Sequence, residues 1–180
     1  MSRYQTNNIV DADKLVTHVT IMGRVIPQTS IDYMKLVRLA YDFRKAVLYA
    51  TRMIAKGIDA NAVLRELRRI LNKAYGDSAY KVAKALVEGC RFNGGDPFHI
   101  GVRKLFMVSE GETSRLGNRN IRLDTTSIVR IKYPYDGSWI MLNTQFGRKY
   151  LPLLQELIEL SRQKKMSYGA RIIFRNGGIY

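Results

Sequence analysis

Residues 15–26 read LVTHVTIMGRVI and stand far from any other strand-like text. Val16, His18, Thr20 and Met22 alternate with Thr17, Val19 and Ile21, the two-residue period of a strand. A strand has to pair its backbone N–H and C=O groups with a neighbour. The chain offers none nearby, because the residues after Pro27 are helical in pattern up to Phe92. The partner must therefore lie beyond Gly101. That demand fixes the architecture expected here: a β-barrel whose first strand (residues 1–28) is separated from the remainder (residues 101–180) by an inserted helical block (residues 29–100).

The insert punctuates itself. Thr29 or Ser30 can cap a helix, and Asp32 favours its positive end, so a long helix is expected over 31–56, ending at Gly57. Asp59 or Asn61 opens a second helix, read as running to Tyr75 with Gly76 as its stop. Ser78 opens a third, reaching Phe92 before Asn93-Gly94-Gly95. A turn or short helix is expected over 96–100, with Pro97 in its first turn.

Past Gly101 the text breaks into VRKLFMVS, NRNIRLD, SIVRIKYP, SWIMLN and ARIIFRN. Asp136-Gly137 is a strong hairpin signal and pairs 128–133 with 139–142. One helix interrupts the strands at about 151–165. Pro152 is tolerated in its first turn, and Leu153, Leu154, Leu157 and Leu160 can face a core.

Thirty Lys and Arg oppose fifteen Asp and Glu, a formal charge of +15. Such a balance concentrates polyanions at the surface and makes association salt-sensitive, so nucleic acid is the expected partner class. No apolar run is long enough for a membrane helix, and the polar start has no signal-peptide core, so an intracellular, cytoplasmic protein without a membrane partner is expected. The single Cys90 cannot form an internal disulfide and reads as a small buried hydrophobe. Two histidines, His18 and His99, show no zinc-site spacing.

On the first helix, Leu36, Leu39, Ala40, Phe43, Val47, Ala50 and Ile54 share one side. Arg38, Lys45, Tyr49, Arg52 and Lys56 group on the other. A basic stripe with a tyrosine in it suits a phosphate backbone, although any amphipathic helix of a basic protein shows a solvated basic face. On the second helix Val63, Leu64, Leu67, Ile70, Leu71 and Ala74 turn inward, leaving Arg65, Arg68, Arg69 and Lys73 outside. In the β-rich part RLGNRNIRLD places Arg115, Asn118, Arg119, Asn120 and Arg122 close together. These are phosphate and base-edge donors, and Gly117 permits close backbone approach. Arg130 and Lys132 extend that surface on one strand face. Tyr133, Tyr135 and Trp139 read as cross-strand packing before base stacking. Scattered carboxylates offer no pair to hold magnesium, and no nucleophile triad or phosphate loop is present, so neither catalytic nor metal-binding residues are assigned.

Three stretches carry a family likeness: YDFRKAVLYATRMI in the first helix, GNRNIRLD before paired strands, and the late YGARIIFRNGGIY. Together, and in this element order, they resemble the N-terminal half of TnpB/OrfB proteins, transposon-encoded RNA-guided DNA nucleases related to type V CRISPR effectors. The resemblance implies an α+β fold: an oligonucleotide-binding-like (wedge) barrel with a three-helix insertion after its first strand. It also implies structured guide RNA and double-stranded DNA flanking a target as partners. In that family a RuvC-like nuclease domain and a zinc ribbon follow in cis, so Mg2+ and Zn2+ are expected only there, and no enzyme activity or cofactor is expected of this chain alone. A stand-alone DNA- or RNA-binding protein such as a repressor is the alternative. RIIFRNGGIY ends as half a hairpin, which reads as a cut before the catalytic domain, with residues 178–180 expected to be frayed.

Overall fold

A computed structural model describes residues 19–175 and 177–180. Residues 15–18 of the first expected strand, His18 with them, and Asn176 of the last turn lie outside the described residues. The first strand, β1, is Gly23–Pro27. It is followed by helices α1 (Ser30–Ala55), α2 (Ala60–Ile70) and α3 (Lys73–Phe92). Strands β2 (Phe106–Ser109), β3 (Gly111–Glu112), β4 (Gly117–Asn118), β5 (Ile121–Thr125), β6 (Ile128–Lys132) and β7 (Trp139–Phe146) come next. Helix α4 (Leu151–Arg162) and strands β8 (Ala170–Arg175) and β9 (Gly178–Ile179) close the chain.

Of the strand expected over 15–26, residues 19–22 are not in a strand, so the alternation there does not mark one; the part that is a strand, β1, does find its partners beyond Gly101. β1 pairs antiparallel with β7, Val25 opposite Thr144, and on its other edge with β9, Val25 opposite Ile179. The seven-stranded sheet runs β2-β8-β9-β1-β7-β6-β5 with every neighbour antiparallel, while β3 and β4 form a separate ribbon. The Asp136-Gly137 turn joins β6 to β7 with Lys132 opposite Trp139, as its hairpin chemistry requires, and Gly137 sits at φ +70°. The fold is mixed α+β.

The edge strands β2 and β5 do not pair with each other. The fully buried Asn118 draws them together instead. Its Oδ1 accepts from Ser109 Oγ of β2 (2.6 Å) and from the backbone N–H groups of Asn120 (3.0 Å) and Ile121 (2.9 Å) at the start of β5. Its Nδ2 donates to the carbonyls of Ser109 (3.1 Å) and Tyr168 (2.9 Å). One side chain thus bonds backbone groups of three segments at once: β2, the start of β5 and the stretch before β8.

Helix α1 starts where its cap chemistry places it: Thr29 Oγ1 accepts from Asp32 N at 3.0 Å. Its apolar side is buried from Leu36 to Ala50, with Ile54 partly so. The boundary of the next two helices falls elsewhere than at Gly76. Leu71 is extended, and Asn72 caps α3 by accepting from Tyr75 N at 2.8 Å. Gly76 lies inside α3 and serves packing: a Cβ there would stand 3.0 Å from the backbone of Leu67 and Arg68, so its lack of a side chain lets α2 approach. Within α4, Leu154, Ile158 and Ser161 are buried, whereas Leu153 is exposed. Cys90 is half-buried.

Helices and strands share one core. The Phe43 ring of α1 meets Tyr75 of α3 edge-on at 6.3 Å and Phe106 of β2 at 5.5 Å. Leu36, Val47 and Leu67 join the same cluster as Met107, Ile131, Ile140 and Leu142. Tyr75, wholly buried, donates its hydroxyl to the Lys132 carbonyl at 3.1 Å and so ties α3 to β6. The expectation that residues 178–180 fray is overturned. β9 pairs with β8 and β1, Ile179 is buried, and Tyr180 exchanges both backbone hydrogen bonds with Ile173. A two-residue strand holds because it fills the gap between two longer strands.

Candidate nucleic-acid interface

The extended Leu71 and the Asn72 cap bring the start of α3 against the β4–β7 surface, and a cleft of about 520 Å³ opens between them. Asn72, Lys73 and Ala74 form its helical wall. Glu112, Arg115, Arg119, Asn120, Arg122, Lys132 and Trp139 form the other. Five cations face one carboxylate. That carboxylate is itself compensated: the Ser114 hydroxyl donates to it at 2.7 Å and Arg119 Nε donates as well, which hold Glu112 below the usual carboxylate range.

Trp139, read from the sequence as packing, organises the cations. The charged groups of Arg122, Arg130 and Lys132 lie 4.9, 4.8 and 5.0 Å from its ring centre. The strand register produces this, since Lys132 lies opposite Trp139 and Arg122 opposite Arg130 on adjoining strands. Arg130 also pairs with Asp124, N to O 2.8 Å, and Lys132 donates to the Gly137 carbonyl. For Arg122, burial and the positive charge of Arg130 push the pKa down. A second cavity, about 250 Å³, adjoins on the α4 side with Arg122, Arg130, Arg162 and Ser161 in its wall.

Of the residues expected to contact nucleic acid, Lys73, Arg115, Arg119, Asn120, Arg122 and Lys132 line the cleft, and Arg130 stands just behind Trp139. Arg38, Lys45, Tyr49, Arg52 and Lys56 form the exposed stripe that periodicity expects on α1, and Arg65 and Arg69 are exposed on α2. None of these seven lines the cleft. Part of the stripe is turned on its own neighbours: Arg38 lies 3.8 Å from Asp42 and 4.9 Å from the Tyr135 ring centre, Lys45 lies over Tyr41, and Arg69 pairs with Glu66.

Asn118 is corrected outright. It carries no free donor for a ligand, because it is buried and its amide is spent on the β2–β5 bridge. Gly117 is corrected with it. It is buried at φ +88°, and a Cβ there would stand 2.6 Å from Ser161 Oγ and from the Tyr168 ring, so what approaches its backbone is the protein itself. Asn120 is also buried, at 3% exposure, yet it borders the cleft. Its Oδ1 accepts from Asn72 Nδ2 at 3.1 Å.

Sequence reasoning missed Trp139 as the centre of the cation group and Asn72 as both helix cap and cleft wall. The alternation Arg130, Lys132 before the Asp-Gly turn, with a tryptophan just after it, is the signal that points to the first. Among the described residues no cluster of three or more His, Cys, Asp or Glu side chains could hold a metal ion. Among them, too, no helix is long and apolar enough to cross a membrane.

The profile of the SSO2105 N-terminal domain family matches residues 18–180. A relative from Saccharolobus solfataricus, the uncharacterized protein SSO2105, is 33% identical over 164 residues, covering 87% of this chain. The chain spans 44% of that relative's length. No solved structure matches.

Proposed function

The chain belongs to the SSO2105 N-terminal domain family, and from the geometry of its cleft we propose that it binds nucleic acid. The observation that carries this reading is the convergence of Lys73, Arg115, Arg119, Arg122 and Lys132, from five different elements or loops, on one concave surface. Concentrating like charge in one cleft, with Arg119, Arg122 and Lys132 half-buried, opposes folding, and the expense is explained by a polyanion that neutralises it.

In its finer form the reading makes the sheet an oligonucleotide-binding-like wedge and the helices a recognition insert of a TnpB-like effector. Structured guide RNA and DNA flanking a target are then the partners, and cleavage falls to a nuclease domain in cis. The quoted sequence stretches, the order of strand, helical insert and returning strands, and the drawing together of β2 and β5 by Asn118 support it. On this reading the chain by itself grips its ligand without cutting it.

Gel-shift titrations with structured RNA, duplex DNA and single-stranded DNA test the proposal. Affinity should fall steeply as salt rises from roughly 50 to 200 mM, and Arg115→Gln should flatten the log–log slope by about 1. RNA should bind tighter than duplex, and labelled substrates should survive incubation with Mg2+. A duplex-only binder would fit the repressor alternative. Failure to bind any of the three, or affinity indifferent to salt, would sink the nucleic-acid reading.

A further inference from the structure

Resting on that reading, we infer that the cleft receives one unpaired nucleotide, whose phosphate is anchored by Arg122 and whose base or sugar offers an acceptor to Asn120. Two donors in the folded protein are left unmatched there. Among the described residues Arg122 Nε, like Arg130 Nε across the ladder, is buried without a well-formed hydrogen bond; what sets Arg122 apart is that its guanidinium joins no ion pair there, whereas Arg130 lies 2.8 Å from Asp124. Asp124 is also the nearest carboxylate neighbour of Arg122 on β5. Arg122 therefore sits across the ladder from a like charge that takes the carboxylate of Asp124, and no other described carboxylate pairs with it. An anion would relieve both the repulsion and the desolvated cation.

Asn120 is the second. Its Oδ1 is taken by Asn72, which fixes the amide and leaves Nδ2 buried at the edge of the cleft with no partner among the described residues. Buried amide hydrogens without acceptors are rare in folded proteins, and a site that needs an acceptor is a common reason for one. Trp139 holds Arg122 in place through its ring, so the anchor is preorganised.

The size sets the class of ligand. A cleft of about 520 Å³ falls in the range of small-molecule sites, between two fixed walls of α3 and the sheet. A duplex is read by an element entering its groove, for which this shape has no counterpart. A base splayed out of a loop or single strand fits it. The phosphate could belong to a strand or to a free nucleotide, and the two are separable by experiment.

Trp139 is the sole tryptophan of the chain and lines the cleft, so its fluorescence reports occupancy. Four ligands serve: a single-stranded RNA of about 12 nucleotides, within the span of one oligonucleotide-binding fold, the same sequence as a perfect duplex, a hairpin with an unpaired loop, and a nucleoside monophosphate. The strand and the loop should change Trp139 emission and bind at least about tenfold tighter than the duplex, a difference of about 1.4 kcal/mol. Arg122→Gln should lose about tenfold or more of that binding while melting at the same temperature or higher, because it removes a charge opposed to Arg130. A monophosphate that binds within tenfold of the strand supports the pocket with a soluble nucleotide as its source. Equal binding of duplex and strand, or Arg122→Gln binding like the wild type, overturns the inference. Nucleic acid that shifts in a gel but leaves Trp139 emission unchanged also overturns it while the broader function stands; no binding in either assay removes both.

Discussion

Two basic surfaces of this protein differ in what made them. The stripe on α1 arises from helical period alone: Arg38, Lys45, Tyr49, Arg52 and Lys56 point to solvent because the other side of the helix packs into the core. Its charges are spaced and hydrated, and some already lie against Asp42, Tyr135 and Tyr41. The cluster at β5–β7 arises from strand register and from a helix start brought opposite it. There the charges are half-buried, face one another, and include the Arg122 guanidinium, which joins no ion pair among the described residues. Composition does not separate the two surfaces. Desolvation does, because a charge removed from water interacts more strongly with whatever reaches it.

The widest separation should come from Asn118→Ala. If the RLGNRNIRLD stretch were uniformly a ligand surface, this change would weaken binding and spare the fold. The structure expects the reverse. Removing a buried amide takes the Asn118 partner from Tyr168 O and from two backbone N–H groups, and each group left unpaired costs about 1–3 kcal/mol. Urea denaturation should show a loss of about 4 kcal/mol or more, or no cooperative transition at all.

Alkaline titration probes the joint between helices and sheet. Burial raises the pKa of Tyr75 well above its ordinary value, and its hydroxyl donates to Lys132 O beside the cleft. A phenol whose folded pKa exceeds its unfolded one contributes stability that is complete below the unfolded pKa, about 10, and is lost as pH climbs toward the folded value. Burial, then the hydrogen bond to Asp42, raises Tyr135 in the same direction at the other contact between α1 and the β6–β7 turn. The urea midpoint should therefore begin to fall at about pH 10 and go on falling as pH rises above it. Tyr75→Phe should flatten part of that fall at an expense of about 1 kcal/mol at neutral pH. A midpoint independent of pH would mean that the Tyr75 hydroxyl is not buried.

The smallest effect is expected from the stripe. Arg52→Gln with Lys56→Gln changes two exposed side chains for which no partner is present among the described residues. Stability should stay within about 0.5 kcal/mol. Binding should fall by less than about threefold where Arg119→Gln costs about tenfold. A stripe variant that loses more than the cleft variant would reverse the ranking and move the principal contact to α1.

Much of the architecture was legible residue by residue. Thr29 and Asp59 cap their helices as their side-chain oxygens require, and Asp136-Gly137 turns the chain between β6 and β7. The unpartnered first strand correctly demanded a mate beyond Gly101. Gly76 was misread because a glycine that ends a helix and one that admits a neighbouring helix look the same in sequence. Asn118 and Asn120 illustrate the same limit. Two residues apart and chemically identical, one closes the fold and the other edges the cleft.

What the sequence determined by itself was local: periods of 3.6 and 2, caps, turns and net charge, each decided by groups within a few residues of one another. What only the tertiary structure decided was which charges lose their water. That depends on Arg122 meeting Arg130 and Trp139 across two strands, and on α3 starting at Asn72 opposite them. No period in the chain encodes those encounters. They follow from packing all the helices and the sheet around the single core that Phe43, Tyr75 and Phe106 share.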